Sequence, residues 1–540
     1  MDGKRSSEVI DSTDNTARKR VCLENKIHTS CFEDLSNELI YDILDYLDGS
    51  DAHEAFSNQN ARFDRLINCQ SRRLKLNFSL ISKSIFERRC QEMISLQSNI
   101  DRIVSLRLSS ELTINRFLKL FSINAFIRLE SLILDQIESN KLELVLIHLS
   151  SLPSLFSLSI HVNSHFQDEN NVYHLILRLS KIRYCNLKFS NGGEGTPFSI
   201  AINEEQQNKS IEHFIINGPC HIHQFIAILS SMSRLRVVRC HSLLGFYNMQ
   251  LKTPIALLNL QHLYLELNNL PFNQFNSLMT NISSTLQSLG ICTTNDDHYI
   301  NADNWITLIS SHMCTLKDFY LHYSNFISND EDYDAFHTTI RSFYSNFWTD
   351  RKWCFGYQHY SNQVEDGMDT ETLVIFYSIK PYRNHNYDLF ERASNLECHG
   401  DTGCNLSRCL TIHGHRSIIN CEVKFQNVTS LIISDEHMDN DHWSIVNLIR
   451  IVPLEQLTKL IVECDSVCIN TLFKILNDAK RIRSLELARY EISDIQFPFI
   501  KQVDNDNAIF NRNNIVQLAI RSVCTLQQLH LLLILIMNRS

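Results

Sequence analysis

The chain has 540 residues, 44% of them hydrophobic and 20% charged, which permits a large buried core and excludes a wholly unstructured chain. A net charge of −10 argues against nucleic acid or an anionic membrane surface as the partner, because both demand a basic face. With only 13 glycines, Gly-rich phosphate-binding folds are disfavoured as well.

The first 30 residues, opening MDGKRSSEVIDSTDNTARKR, are polar and charged, carry no apolar signal segment and read as a disordered tail. The basic clusters Lys4-Arg5 and Arg18-Lys19-Arg20 leave a nuclear import signal as the alternative to a simply solvated tail. Without a route to an oxidising compartment, the 17 cysteines are expected to be reduced, in a cytoplasmic or nuclear protein. The longest apolar stretch, Leu529 to Met537, is interrupted by His530 and too short to span a bilayer, so no membrane association is expected.

Residues 31–76 read as two or three short helices. Ser36 is the expected N-cap of the first, with Glu38 in the opening turn where the helix dipole favours a carboxylate. Leu39, Ile43, Tyr46 and Leu47 form an apolar stripe along it. Gly49 is expected to end this helix and Asp51 to cap a second, and Phe56, Phe63 and Leu66 continue the apolar positions. So small a module, with apolar residues to spare, calls for a partner surface.

The run Leu35-Ser36-Asn37-Glu38-Leu39, then Ile43-Leu44-Asp45-Tyr46-Leu47, then Asp51, Phe56 and Phe63, resembles an F-box. It departs from that family's motif in placing Ser36 where proline is usual. The resemblance implies that Leu35, Glu38, Leu39, Ile43, Leu44, Tyr46, Leu47, Phe56 and Phe63 dock on a Skp-type adaptor, and through it on a cullin-RING ubiquitin ligase. The alternative for the same stripe is the inner face of a helical cap.

From residue 77 to 540 an internal repeat dominates. The pattern L-x-x-L-x-L, with any apolar residue at the L positions, begins at Ile103, Leu129, Leu155, Ile182, Ile211, Leu235, Leu260, Leu286 and Leu316, at spacings of 26, 26, 27, 29, 24, 25, 26 and 30. It resumes at Val428, Leu457, Ile482 and Leu526. Between the hexads, apolar residues recur at i, i+3, i+4, i+7, as in Ile114-Phe117-Leu118-Phe121 and Leu142-Val145-Leu146-Leu149. Each unit is therefore a short strand followed by an amphipathic helix, and units must stack to bury both faces. The expected fold is an α/β leucine-rich-repeat horseshoe solenoid, parallel strands concave and helices convex, behind the all-helical module. Together they resemble the F-box and leucine-rich-repeat family, which implies a substrate receptor of an SCF-type ligase.

Two stretches break the period. At about 330–427 lies an aromatic-rich insertion with FYSNFWTDRKWCFGYQHY and the strand-like LVIFYSI, read as an irregular repeat with a hairpin packed on the array. There only Leu406-Ser407-Arg408-Cys409 looks like a degraded hexad. Residues 488–525, with DNDNAIFNRNN, read as a long loop.

Chemistry finds little to stand on. Cys398, His399, Cys404, Cys409, His413, His415 and Cys421 are of zinc-ligating types, but their spacing matches no paired zinc pattern, and Cys409 reads as a buried packing residue. No nucleophile elbow, metalloprotease or P-loop motif occurs, and Gly192-Gly193-Glu194-Gly195 reads as a turn. No catalytic residue, cofactor or metal is expected.

The third, fifth and seventh positions of each hexad point away from the core. In mid-array these are Arg239 and His241, then His262, Tyr264 and Glu266, then Asp318, Tyr320 and His322, rich in residues that interface hot spots favour. They are the expected exposed surface for a protein substrate. Three functions remain open at this point: a ligase substrate receptor, a protein-binding scaffold not coupled to ubiquitination, and a zinc-dependent enzyme should the Cys/His cluster bind metal.

Overall fold

A computed structural model describes residues 32–520 apart from 70–71, 80, 96, 163–168, 190–207, 209, 246–256, 258, 283, 328–329, 362–371, 381–385, 390–406, 415, 420, 422–423, 435–444, 464–468, 489–514 and 516. The chain divides into two compact units, 1–69 and 70–540.

The first unit holds helices α1 (Asn37–Tyr46), α2 (Gly49–Phe56) and α3 (Ala61–Ile67). Ser36 caps α1 by accepting from the Leu39 N–H at 3.4 Å. The helix stops where Leu47 turns extended, at φ −91° and ψ 151°. Here the expectation needs correcting: Asp48, not Asp51, caps α2. Its Oδ1 accepts the N–H groups of Ser50 and Asp51 at 2.8 and 3.3 Å, so Gly49 opens α2 instead of ending α1. Ile40, Leu44, Ala52, Phe63, Leu66 and Ile67 form the core, with Leu35, Tyr41, Leu47 and Phe56 partly buried against it. Arg62 ties the entry segment down, donating to the Glu33 and Leu35 carbonyls at 2.5 Å each.

The second unit starts earlier than the hexads suggested, inside the stretch 31–76, with strand β1 (Leu74–Phe78) and α4 (Lys83–Ser95). Strand–helix units follow: β2 (Ile103–Ser109), α5 (Glu111–Leu120), β3 (Ser131–Ile137), α6 (Ser139–Leu149), β4 (Ser157–Val162) and α7 (Glu169–Leu177). Next come β5 (Tyr184–Phe189), β6 (His213–Asn217), β7 (Cys220–His221), α8 (Ile222–Ser230), β8 (Val237–Leu244), β9 (His262–Asn268) and α9 (Phe272–Ile282). The run closes with β10 (Ser288–Thr294), α10 (Ala302–His312) and β11 (Asp318–Ile327). Apart from the two-residue β7, these strands pair in chain order and all in parallel, an arrangement compatible with a solenoid.

Alternation sets which side is core. In β4, Leu158, Ile160 and Val162 are buried while Ser157, Ser159 and His161 are only partly covered. The helices bury their own stripes in the same core, as with Ile114 and Phe117 of α5 and Leu142, Val145 and Leu146 of α6. Two further devices repeat from unit to unit. From the second hexad to the eighth, the carbonyl one residue after the hexad start accepts two N–H groups of the next unit: Gln261 O takes Gln287 and Ser288, and Gln287 O takes Lys317 and Asp318. A hydroxyl just before the hexad reaches back to the first hexad carbonyl of the previous unit, Thr285 to Leu260 at 2.8 Å and Thr315 to Leu286 at 2.7 Å. Both satisfy backbone oxygens that water cannot reach in a stack.

The aromatic insertion holds α11 (Asp330–Arg341), α12 (Asn346–Asp350), β12 (Cys354–Ser361) and β13 (Thr372–Lys380). Its hairpin is part of the sheet rather than packed upon it: β13 pairs antiparallel with β11, and β12 with β13. Trp348, Trp353, Phe343 and Phe355 pack on the same core as Phe319, and the Trp353 indole donates to the Lys317 carbonyl at 3.0 Å.

A second sheet runs β14 (Asn386–Leu389), β15 (Cys409–His413), β16 (Ser430–Ser434), β17 (Lys459–Val462), β18 (Ser484–Leu487) and β19 (Gln517–Ile520), again parallel in chain order. It has its own core, from Tyr387 to Ile515. Helices α13 (Arg416–Ile419), α14 (Ile445–Ile451) and α15 (Ile469–Asp478) alternate with its middle strands. Two registers differ from expectation. The degraded hexad is Ser407-Leu410-Ile412, all fully buried, and Cys409 is only half-buried on the other face, because Leu410 aligns with Leu431 of the next strand. The stretch 488–525 is not one loop, since it includes β19, whose Leu518 aligns with Leu485. Leu526 to Leu531 lie outside the described residues, as do residues 1–31 and Gly192 to Gly195. Among the described residues no helix is long and apolar enough to cross a membrane.

Candidate functional site

The sheet face opposite the helices presents three columns of side chains, because parallel register repeats each hexad position directly beside its neighbour. Across β8, β9, β10 and β11 the fifth-position column reads Arg239, Tyr264, Gly290, Tyr320. The third-position column reads Val237, His262, Ser288, Asp318. The seventh reads His241, Glu266, Cys292, His322. All eight residues expected at a substrate surface thus fall in one patch. Strand β10 completes it with Ser288, Gly290 and Cys292, which the aromatic and charged bias of the sequence reading passed over.

The patch is hydrogen-bonded within itself. His241 Nδ1 lies 3.0 Å from Glu266 Oε1, and the Tyr264 hydroxyl donates to the same oxygen at 3.2 Å. Cys292 Sγ lies 3.6 Å from His322 Nδ1. Burial, and then the negative potential of Cys292 and Glu266, hold the Tyr264 phenol well above the usual tyrosine range, with Arg239 opposing weakly. Tyr264 is therefore a committed hydrogen-bond donor. Farther along the face, His161 Nδ1 sits 2.6 Å from Asp135 Oδ1, and Asn217 donates to Asn186 at 2.6 Å.

Exposure divides these residues. Arg239 is exposed, and His241, His262, Tyr264, Glu266, Asp318 and His322 are partly covered. Tyr320 departs from expectation, with only 2% of its surface exposed. The Tyr264 ring stacks on one side of it across Gly290, while β13, whose Ser378 hydroxyl accepts from the Leu321 N–H at 2.9 Å, runs alongside β11 on the other. It is a structural residue of the patch, not an open contact.

The helical unit carries the second candidate site. Ile40 and Leu44 of α1 and Leu47 just beyond its end face the core, while Leu39 and Tyr46, with the partly covered Ile43 between them, lie one residue earlier along the same spacing and stay outside it. Leu39 is 51% exposed and Tyr46 91%. Leu44 and Phe63 are buried, Leu35, Leu47 and Phe56 partly so, and these five hold the unit together. The stripe Leu39-Ile43-Tyr46-Leu47 read from the sequence therefore mixes two faces. Glu38 is exposed, and the helix-end backbone N–H and Ser36 hold its carboxyl below the usual range.

Of the Cys/His cluster, Cys398, His399, Cys404 and His415 lie outside the described residues. Among the described residues no group of three or more His, Cys, Asp or Glu is placed to hold a metal ion. One carboxyl pair does form: a hydrogen bond from Glu138 raises Glu111, while Lys141 and then Glu111 hold Glu138 below the usual carboxylate range, Glu111 being exposed and Glu138 partly covered. No protein-family model matches the chain, and no curated protein does.

Proposed function

We propose that the chain is a non-catalytic substrate receptor: an F-box unit that docks on a Skp-type adaptor of a cullin-RING ubiquitin ligase, followed by a leucine-rich-repeat solenoid whose open sheet face holds a protein substrate. The observation that carries the docking half is the doubled apolar stripe of α1. A helix of a unit this small needs one stripe to make its core, and Ile40, Leu44 and Leu47 supply it. Leu39, Ile43 and Tyr46 form a second stripe that the unit leaves partly or wholly uncovered. Covering such side chains is worth about 1.5–3 kcal/mol each, so a partner surface is the economical explanation of their presence.

The open face supports the substrate half. Arg239, His241 and Tyr264 combine a cation, an imidazole and a phenol in one patch, the chemistry of a protein-recognition surface. The test replaces Leu39 and Tyr46 together with aspartate in the full chain and measures co-purification with a Skp-type adaptor. Leu47 is left alone because it is partly buried in the unit. Loss of adaptor binding with unchanged circular dichroism supports the reading. Adaptor binding that survives, or never occurs with the native chain, sinks it.

A further inference from the structure

The open sheet face reaches beyond the patch, from β2 to β11, in the same three columns. Among the described residues of those columns four side chains are exposed: Arg107, Lys188, His213 and Arg239. All four are of basic type. The acids of the face are covered and turned along it. Asp135 lies 2.6 Å from the His161 ring, while Glu266 lies 3.0 Å from that of His241 and accepts the Tyr264 hydroxyl. Asp318, at the far end of the run, is partly covered as well. Arg107, Lys188 and Arg239 make no ion pair among the described residues, so their charge is open to an incoming acid. A chain of net charge −10 thus gathers exposed cations on the face its helices leave uncovered.

Two further relationships say what kind of acid fits. Each arginine has a partly covered isoleucine next to it in the fifth-position column, Ile133 beside Arg107 and Ile215 beside Arg239. Arg107 on β2 and Lys188 on β5 are three strands apart, and Lys188 and Arg239 on β8 are two. At about 4.8 Å per strand these gaps are about 14 and 10 Å, which an extended chain crossing the strands spans in about three to five residues each. Spaced carboxylates with apolar neighbours match that layout. Nucleic acid matches it less well, since its binders engage about six to ten phosphates and a long polyanion would meet the negative remainder of the chain.

We propose that the open face captures an acidic, extended segment of its protein substrate. The segment crosses β2 to β8 with its carboxylates on Arg107, Lys188 and Arg239 and apolar side chains on Ile133 and Ile215. This names a substrate class for the face assigned above and rests on that assignment.

The experiment selects a randomised peptide library on the full-length chain and, in parallel, on the charge-reversed variant Arg107→Glu/Lys188→Glu/Arg239→Glu. The native chain should enrich peptides with Asp or Glu at about every three to five residues and apolar residues beside them, and the variant should not. As synthetic peptides they should lose about tenfold or more in affinity on Arg239→Glu, and versions with Lys in place of the acids should prefer the reversed variant. The three substitutions fall on exposed side chains, circular dichroism checks the fold, and the single variants carry the same comparison should the triple one misfold. Two failures are distinguishable. Peptides that depend on His241 or Tyr264 but not on the three cations leave the face as the substrate site and overturn the acidic class. Peptides indifferent to both sets overturn the face itself, and the proposal with it. Tighter binding of oligothymidylate or phosphatidylserine vesicles than of any peptide, lost in the reversed variant, overturns the proposal as well.

Discussion

Tyr264 and Tyr320 stack across Gly290, their ring centroids 6.5 Å apart and their planes within 25° of parallel. They belong to strands that are not neighbours, with β10 between them, so at about 4.8 Å per strand their backbones are too far apart for this contact unless the rings lean inward. Gly290 makes that possible. A Cβ there would sit 2.7 Å from Tyr264 Cδ2 and 3.6 Å from Tyr320 Cδ1. Gly290→Ala should therefore cost about 1–3 kcal/mol through crowding, read as a lower denaturant midpoint. Adding Tyr264→Ala should recover part of that loss. Independent, additive effects would show that the glycine serves another purpose.

Tyr320 and Tyr264 should respond differently to truncation. Tyr320 is fully enclosed, so Tyr320→Ala should destabilise by about 3–5 kcal/mol, as for other large aromatic residues cut back in a core. Tyr264→Phe removes one hydrogen bond to Glu266 from a partly covered site and should cost about 0.5–1.5 kcal/mol. Substrate-capture assays should use Arg239, His241 and Tyr264, because capture lost with Tyr320→Ala would report unfolding. Equal stability of the two variants would contradict the burial of Tyr320.

The cap of α2 gives a sharp local test. Asp48→Ala removes the acceptor of two helix N–H groups and should lower stability by about 0.5–2 kcal/mol. Asp51→Ala, at an exposed first-turn position, should stay within about 0.5 kcal/mol. Thermal melts of the two variants decide it, and a larger loss for Asp51→Ala would restore the capping read from the sequence.

Acid should weaken the array through His223. Burial, and then the neighbouring His221, hold its imidazole below the usual histidine range, the two rings lying 5.6 Å apart. A base with a depressed folded pKa binds its proton more readily when unfolded. Its stabilising contribution is therefore complete above the ordinary value near about 6.5 and is lost progressively as pH falls below it. His223→Gln should flatten the loss of stability on that acid limb while changing little above it. An unchanged acid limb would place the proton uptake elsewhere.

Thiol reactivity should sort by burial. Cys314 is exposed, whereas burial and nearby Glu87 push the Cys90 thiol up to about 11, and burial raises Cys185 further. Since the thiolate is the nucleophile, brief alkylation of the native chain should label Cys314 well before Cys90 and Cys185. Peptide mass mapping reads the order directly. Early labelling of Cys185 would mean that its strand opens readily.

The parallel register from β2 to β11 was legible because it is written locally. An apolar residue at every second strand position, repeated at spacings of 24 to 30 residues, admits one stacking order, and a one-residue slip would turn Leu132, Leu158 and Leu263 into water. The same locality made Ser36 readable as a cap. What hexads could not convey is which side chains neighbours cover. Alternation places Tyr320 on the open face, but Gly290, 30 residues earlier, and Ser378, 58 residues later, decide that it is enclosed. On α1 both Leu39-Ile43-Tyr46 and Ile40-Leu44-Leu47 satisfy a helical period, and only contact with Phe63, Leu66 and Ile67 of α3 selects the inward one. The hairpin was likewise visible as strands, yet its place within the sheet depended on the free edge of β11. Period is a property of one segment; burial belongs to two segments distant in the chain, and the sequence states it only through the fold.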